Sequence, residues 1–207
     1  VICQRKIRMG NVGDGGWEIC DDLKVRPKRP CIVYSFGINY DFSFDDDVAR
    51  LYGCHVYSFD PSMEKMETSN RSVLSSHVHF YKIGLSGQTV TLDQGWNLYT
   101  LSDIRSRLGH QNAVIDVIKM DIEASEWDAL PQMVSSGQLE NVRQLLLEYH
   151  VVDTSHEYLL PRLKSIQAVE RLGFRKFLVH KNEHCVEYFV KYPVPRTHCY
   201  EVHYLRG

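Results

Sequence analysis

Short apolar segments alternate with amphipathic segments along most of this chain. Five apolar runs predict β-strands, at residues 31–36, 55–59, 77–83, 114–120 and 143–148. The stretches between most of these runs carry apolar residues at helical spacing. Strands that alternate with helices are typical of a parallel α/β sheet, so the pattern predicts one α/β domain with a mostly parallel sheet.

The helix signals lie where this alternation requires them. A helix is predicted after Ser43, because Asp46 stands three residues on, as in a capping box. Three more are predicted, over 102–108 before Gly109, around 127–133, and over 160–169 before Gly173.

The segment after the last helix is different. Residues 174–179, 186–190 and 199–205 read as strands, with a break at Pro193 and Pro195. Because no long helix separates them, we expect an antiparallel hairpin at the edge of the sheet.

Composition narrows the class of protein. A length of 207 residues favours one domain, in which we assign residues 1–30 to an extension on the substrate side. The formal net charge of −2 leaves no basic surplus for nucleic acid, and no apolar run is long enough to cross a membrane. The chain begins Val-Ile-Cys without Met or signal peptide, so we expect an excised domain whose upstream segment carries the address or membrane anchor.

Six cysteines fall into three pairs, Cys3 with Cys20, Cys31 with Cys54, and Cys185 with Cys199. We expect at least one disulfide, although Cys31 and Cys54 are also compatible with buried free thiols. Residues 70–72 form an N-glycosylation sequon. Together these features favour the secretory pathway, either the Golgi lumen or secretion.

The loop after the first long strand favours one kind of cofactor. It offers a single glycine, Gly37, and then three carboxylates, Asp45 to Asp47, in the first turn of the helix. Carboxylates there repel a diphosphate, so a cationic cofactor without phosphate, such as S-adenosylmethionine, fits better than a dinucleotide. The alternative is that the three carboxylates are a solvated helix start. Asp60, at the end of the next strand, is placed to accept two ribose hydroxyls, unless it only forms an Asp-Pro turn.

Two strand ends carry paired polar groups. Asp121 and Glu123 end one strand, and Glu148 and His150 end the next. Because such positions share one side of a strand end, we expect these side chains to converge. His150 is the candidate general base for removing a hydroxyl proton, with Asp121 and Glu148 beside it. Two alternatives remain: a divalent cation held by Asp121, Glu148 and His150, or a structural role.

Aromatic side chains suggest where an acceptor molecule binds. Asp14 and Trp17 flank a Gly-Gly pair that forms either a substrate loop or a plain hairpin turn with a buried indole. Trp127 is a further substrate candidate, although its helical spacing with Leu130 and Met133 favours the core.

Several segments resemble a known family in its order along the chain. They are CIVYSFGINYDFSFD at 31–45, GCHVYSFDPS at 53–62, IKMDIEASEW at 118–127 and QLLLEYH at 144–150, with shorter signatures at 14–20, 108–110 and 199–202. This pattern resembles the animal methyltransferase-like proteins with an FkbM-type domain. The resemblance implies a single Rossmann-like class I S-adenosylmethionine-dependent domain, typically lumenal and membrane-anchored, with oxygen as the usual methyl acceptor. One departure is Ala124, where the family pattern has Gly.

Three functional hypotheses follow. The leading one is an S-adenosylmethionine-dependent O-methyltransferase that acts on a glycan or small molecule in the secretory pathway. The second is a methyltransferase-fold binding module without turnover, and the third, a nicotinamide oxidoreductase, is disfavoured by the acidic loop. The residues expected to bind the cofactor are Ser35, Phe36, Gly37, Asn39, Asp41, Asp60, Pro61, Gly84, Leu85, Asp121, Ile122 and Glu123.

Overall fold

The computed structural model describes residues 2–65, 73–187 and 193–207. The helices are α1 Ser43–Tyr52, α2 Leu101–Leu108, α3 Glu126–Ser135 and α4 His156–Arg171, with a short 3₁₀ turn at Glu183–Cys185. The strands are β1 Lys6–Met9, β2 Trp17–Cys20, β3 Ile32–Phe36, β4 His55–Phe59, β5 Val78–Tyr81, β6 Gly84–Leu85, β7 Val90–Thr91, β8 Asn97–Tyr99, β9 Ile115–Met120, β10 Val142–His150, β11 Phe174–Lys181, β12 Val186–Glu187, β13 Arg196–Thr197 and β14 Cys199–Arg206.

A seven-stranded sheet forms the centre of the fold, in the order β11-β14-β10-β9-β3-β4-β5. The five strands from β10 to β5 are parallel, whereas β14 runs antiparallel to both of its neighbours, β10 and β11. This arrangement confirms the predicted mostly parallel sheet with an antiparallel C-terminal hairpin. It also shows that β14 is inserted between two other strands instead of lying at the edge.

The start of α1 differs from the predicted capping box. Phe42 precedes the helix and makes no side-chain cap, and the backbone N–H of Ser43 donates to Oδ1 of Asp41 instead (2.9 Å). The carboxylate of Asp46 accepts hydrogen bonds from Arg50 and from the N–H of Ser75. The capping-box prediction is therefore wrong, because Ser43 is the first residue of the helix and not its cap, and the Asp46 carboxylate accepts from Arg50 and Ser75 instead.

The apolar pattern did not predict several element boundaries and small elements correctly. β10 extends two residues past the predicted end, to His150, because Tyr149 and His150 still pair with Tyr200 and Cys199 on β14. α4 begins four residues before the apolar stripe, where the hydroxyl of Ser155 accepts from the N–H of Tyr158. The predicted strand at 186–190 is observed only as β12, and residues 188–192 lie outside the described residues.

The sheet separates two apolar cores. One side packs against α2, α3 and α4, and the other side packs against α1 and the antiparallel ribbon formed by β1 and β2. The ribbon joins the second core through Met9, Trp17 and Ile19, which are nearly completely buried. The side-chain amide of Gln144 on β10 also bonds both the N–H and the C=O of Cys20. The role of residues 1–30 as a substrate-side extension stays a prediction.

All three cysteine pairs are disulfide-bonded, Cys3–Cys20, Cys31–Cys54 and Cys185–Cys199. The free-thiol interpretation of Cys31 and Cys54 is therefore wrong, and the disulfide prediction is confirmed. The sequon at 70–72 lies outside the described residues. Among the described helices, none combines the length and the apolar character needed to cross a membrane.

Candidate functional site

A cavity of about 470 Å³ opens at the carboxyl ends of β3, β4, β9 and β10. Open α/β sheets bind their ligands at this edge. Thirteen of the predicted site residues line the cavity, namely Asp14, Phe36, Gly37, Asn39, Asp60, Pro61, Gly84, Leu85, Asp121, Ile122, Glu123, Glu148 and His150.

Four predicted site residues lie away from the cavity, and their assignments are corrected here. Ser35 is fully buried within β3, and Asp41 accepts hydrogen bonds from Ser43 and Asn11 near the start of α1. Trp17 stacks on the ring of His203 in the second core. The indole N–H of Trp127 donates to the backbone C=O of His150 (2.6 Å), and its ring stacks on Tyr149. The core interpretation therefore holds for both tryptophans.

The loop after β3 approaches the end of β9 very closely. Gly37 has φ +77°, and a Cβ placed there would lie 1.6 Å from the carbonyl oxygen of Asp121. Only glycine tolerates both constraints. The ammonium group of Lys119 donates to the backbone carbonyls of Phe36 and Gly37, which fixes the same loop from below.

Asp60 holds the other side of this loop. Its Oδ2 accepts from the N–H groups of Ile38 and Asn39 (both 2.9 Å), and its Oδ1 accepts from the N–H and hydroxyl of Ser62. Burial opposes ionisation, but these donors outweigh it and lower the pKa of Asp60. Asp60 is thus a loop-organising carboxylate at the cavity wall whose four accepted hydrogen bonds use the usual lone-pair positions of a carboxylate, and ribose binding stays a prediction.

Neither interpretation of the acidic helix start describes Asp45 and Asp46. Both carboxylates are about 1% exposed, so they are neither solvated nor directed at a ligand. Asp45 accepts a hydrogen bond from the hydroxyl of Ser58, and burial raises its pKa. Asp47 accepts from the N–H of Gly10 on the N-terminal segment. The three carboxylates therefore fasten α1 to its surroundings.

His150 forms a buried pair with Glu126, a residue that the sequence did not indicate. Oε1 of Glu126 accepts from the backbone N–H of His150 (2.8 Å) and lies 2.7 Å from its Nδ1. Nε2 of His150 faces Asp121 Oδ1 at 3.8 Å and Glu123 Oε2 at 3.6 Å. Burial lowers the pKa of His150, but the hydrogen bond and charge of Glu126, with Asp121 and Glu148, raise it to about 9. The pKa of His150 therefore lies above its ordinary value of about 6.5.

Glu148, two residues before His150 on β10, contacts the C-terminal segment. The amide of Asn182 donates to Glu148 Oε1 (3.0 Å) and to Asp14 Oδ1 (3.2 Å). Burial and the charge of Asp121 raise the pKa of Glu148 to about 7. Asn182 thus links the N-terminal loop to the end of β10.

The divalent-cation alternative involves a different set of carboxylates from the predicted one. Ligand atoms of Asp121, Glu123 and His150 lie within 4.8 Å of one another, whereas Glu148 belongs to another group. Nδ1 of His150 is already engaged by Glu126, which leaves Nε2 as its ligand atom. A cation held by Asp121, Glu148 and His150 stays a prediction.

The remaining cavity wall comes from segments without a recognisable motif. Phe59 and Ser62 flank Asp60 and were predictable as neighbours of a strand end. The others lie on the β7–β8 hairpin, before α3, or on the C-terminal segment, namely Leu92, Trp96, Leu98, Ser125, Asn182, His184, Cys185, His198 and Cys199. No local pattern indicates that these segments meet at one site.

The charge of the cavity is strongly one-sided. Five carboxylates line it, those of Asp14, Asp60, Asp121, Glu123 and Glu148, together with three histidines. Within the described ranges, no lysine or arginine lines the cavity. Such a wall suits a cationic ligand and opposes a diphosphate.

Comparisons with known proteins agree with this geometry. Residues 1–204 match a family described as methyltransferase domain. "Probable methyltransferase-like protein 24" of Homo sapiens is 27% identical over 65% of this chain and 38% of its own length. The protein of the same name from Rattus norvegicus is 26% identical over 84% of this chain and 51% of its own length. The chain therefore spans about half, or less, of these relatives.

One solved structure supports the fold. A fibrillarin pre-rRNA processing protein from Methanococcus jannaschii superimposes with a TM-score of 0.51 at 11% identity, over 90% of this chain and 71% of its own. The similarity confirms the class I methyltransferase fold and nothing about the acceptor. The animal methyltransferase-like family is confirmed as well, while its FkbM type stays a prediction.

Proposed function

This chain belongs to the methyltransferase domain family, and we propose that it transfers the methyl group of S-adenosylmethionine to a hydroxyl of a glycan or small molecule. The observation that carries the choice of oxygen is the buried His150–Glu126 pair, which opens onto the cavity. A hydroxyl is a weak nucleophile until its proton is removed, whereas a neutral amine needs no such help.

The cofactor half of the cavity fits S-adenosylmethionine by its chemistry. The Gly37 loop and Asp60 present backbone groups and a carboxylate, and Phe36, Phe59 and Leu85 provide apolar walls suited to an adenine ring. When bound, the cofactor supplies a methyl group on a positively charged sulfur. The carboxylates of the wall stabilise that charge, and Asp60 remains the proposed ribose ligand.

His150 is the proposed general base. Glu126 accepts a hydrogen bond from Nδ1–H of His150, and this bond directs Nε2 towards the cavity. The carboxylate of a serine hydrolase orients its histidine in the same way. His150 removes the hydroxyl proton through Nε2 only when the ring is neutral. Since its pKa lies at about 9, the rate rises with pH through the range above neutrality.

The acceptor half of the cavity favours an uncharged polyhydroxyl compound. Polar groups of the wall that the cofactor proposal does not use belong to Asp14, Asn182, Glu148, His184 and His198. Hydroxyl groups of a sugar pair with such groups. The acidic wall opposes anionic acceptors.

We also place the protein in the secretory pathway, in the Golgi lumen or outside the cell. The three disulfides support this proposal, since disulfides persist in oxidising compartments. A membrane anchor in an upstream segment, as the resemblance implies, is part of the same proposal.

The acceptor class is tested with radiolabelled S-adenosylmethionine and two matched panels. One panel holds neutral mono- and oligosaccharides with small neutral alcohols, and the other holds the corresponding uronic acids and sugar phosphates. We expect base-stable label, as a methyl ether, in the neutral panel and little or none in the anionic panel. Label that appears mainly in the anionic panel, or on nitrogen of an amino-sugar control, contradicts the proposal. Cofactor binding without product from either panel favours the binding module.

A further inference from the structure

A second group of titratable side chains lies behind the cavity, where the β1–β2 ribbon covers the sheet. Glu148 on β10, Glu201 on β14 and His180 on β11 stand opposite one another on neighbouring strands. Like charges directly opposed on an antiparallel pair destabilise it. The two carboxylates therefore require a proton or a cation between or beside them.

Glu201 shares its buried space with His203 and Glu18. His203 is completely buried, and Glu201 is 3% exposed. Nε2 of His203 lies 3.9 Å from Oε2 of Glu201, and its Nδ1 lies 3.7 Å from Oε2 of Glu18. One ligand-capable atom from each of the three residues lies within 4.8 Å of the other two.

This cluster holds four buried atoms without a hydrogen-bond partner in the described part of the chain. They are Oε2 of Glu18, Oε2 of Glu201 and both ring nitrogens of His203. Arg8 pairs with the other oxygen of Glu18, Oε1, at 2.7 Å and leaves Oε2 facing the cluster. Buried polar atoms in native proteins nearly always have a partner, so four together point to a bound ligand.

The ring of His203 is held in an orientation that suits coordination. Trp17 stacks on one face, with centroids 5.5 Å apart, and Phe177 contacts the ring edge-on at 5.9 Å. These contacts fix the plane of the ring and leave its nitrogens directed at the two carboxylates. Complete burial of His203 favours the neutral form of its ring, which is the form that binds metals.

We propose that Glu18, Glu201 and His203 bind a divalent transition-metal ion. Imidazole and carboxylate ligands together are typical of Zn²⁺, whereas Ca²⁺ and Mg²⁺ prefer oxygen alone. Two ligands each about 2.0–2.2 Å from one ion lie no more than about 4.4 Å apart, and Nε2 of His203 lies 3.9 Å from Oε2 of Glu201.

The ion has a structural consequence for the proposed active site without entering its chemistry. The ion joins β2 of the ribbon to β14, the strand that pairs with β10. It also supplies the positive charge that the opposed carboxylates Glu148 and Glu201 require.

Calorimetric titration with ZnCl₂ tests the proposal on the full chain after dialysis against EDTA. We expect one equivalent of Zn²⁺ to bind at this cluster in the wild type. Glu18→Gln and Glu201→Gln should each weaken this binding by at least about 10-fold. Loss of a residue that only hydrogen-bonds to a metal ligand already weakens metal binding to this extent, and loss of the ligand itself costs at least as much. Glu18 is partly exposed at the edge of the cluster, so Glu18→Gln is the milder variant, and circular dichroism verifies that it folds.

A surface histidine pair provides the matched control. Nδ1 of His55 lies 2.9 Å from Nε2 of His79 at a half-exposed position and is a competing Zn²⁺ site. His79→Ala should leave the buried site intact, and no thiolate competes because the six cysteines are all in disulfides. Absence of Zn²⁺ binding to the wild type, binding unchanged in Glu18→Gln, or binding lost in His79→Ala would each overturn the proposal. The readout is binding, so its outcome is independent of methyl transfer.

Discussion

At the scale of single residues, four side-chain-bearing residues in the described part of the chain adopt a backbone conformation that normally requires glycine, and two of them lie in one turn at the cavity wall. These two are Glu123, with φ +54°, and Ala124, with φ +71°, in the turn that follows Asp121. The sequence revealed Ala124 only as a departure from the family's glycine. The structure supplies the physical reason for that glycine, which is the left-handed turn between β9 and α3.

Replacing Ala124 with Gly should therefore stabilise the protein. The left-handed conformation costs an alanine about 1–2 kcal/mol, and the greater freedom of glycine in the unfolded chain returns about 0.4–1 kcal/mol of that. We expect a net gain of about 0.5–1 kcal/mol in the free energy of unfolding, measured by urea denaturation. The matched control, Ala168→Gly within α4, should lose about 1 kcal/mol. Equal losses for both variants would show that Ala124 is unstrained.

For Asp60 the sequence predicted the position correctly but only part of the role. The sequence predicted its position at the cavity for ribose binding, but could not show that four hydrogen bonds, two from the Gly37 loop and two from Ser62, end on its carboxylate. Those donors are backbone N–H groups and a serine hydroxyl. No sequence pattern shows whether such groups face a carboxylate or the solvent.

Asp60→Asn should lower stability as well as cofactor affinity. The amide retains one acceptor oxygen, so the loop loses hydrogen bonds to a charged group, each of which is worth about 1.5–3 kcal/mol. We expect a loss of that size in the free energy of unfolding and a comparable loss in S-adenosylmethionine binding, by denaturation and calorimetry. The exposed Asp93→Asn should change either by less than about 0.5 kcal/mol. If affinity stays at the wild-type value, Asp60 acts on the loop alone.

At the scale of elements, the site depends on the packing of α3 against the end of β10. Glu126 lies in the first turn of α3, where an acidic residue is ordinarily explained by the helix dipole, yet it is fully buried against His150. The sequence predicted that Asp121 and His150 lie close together, because they end neighbouring parallel strands. It could not predict that Glu126 pairs with His150, because this contact depends on how α3 packs over the end of β10.

The Glu126–His150 pair makes stability depend on pH. The pKa of His150 is about 9 in the folded protein, above its ordinary value of about 6.5, so protonation stabilises the fold. This stabilisation is complete below pH 6.5 and is lost as the pH rises through 9. We expect the stability advantage of wild type over Glu126→Gln to shrink by a few kcal/mol between pH 6.5 and 9.5, measured by thermal denaturation.

Comparison with Glu126→Gln removes the contributions of Glu148 and Glu201, which titrate in both proteins. A difference between the two proteins that stays constant with pH, or that grows as the pH rises, would contradict a raised pKa for His150.

At the scale of the whole molecule, the parallel part of the sheet was predictable from apolar runs that alternate with amphipathic segments. The cofactor edge was predictable from the polar residues at the ends of the strands. The segments that close the cavity were not predictable. Asn182 reaches both Glu148 and Asp14, and Asp14 is separated from it by most of the chain. β14 lies between β10 and β11, although its residues come last. Such contacts follow from tertiary packing and leave no periodic trace in the sequence.

The central claim is that this cavity binds S-adenosylmethionine and that His150 activates the acceptor oxygen. The direct measurement pairs the dissociation constant of the cofactor with the rate of S-adenosylhomocysteine formation, for wild type, His150→Ala and the exposed control His156→Ala, from pH 6.5 to 9.5. We predict that His150→Ala lowers kcat by about 10²–10⁴ with cofactor affinity near wild type, and that the wild-type rate rises through this range. Turnover at the wild-type rate in His150→Ala, or a wild type that binds no cofactor, would contradict the account.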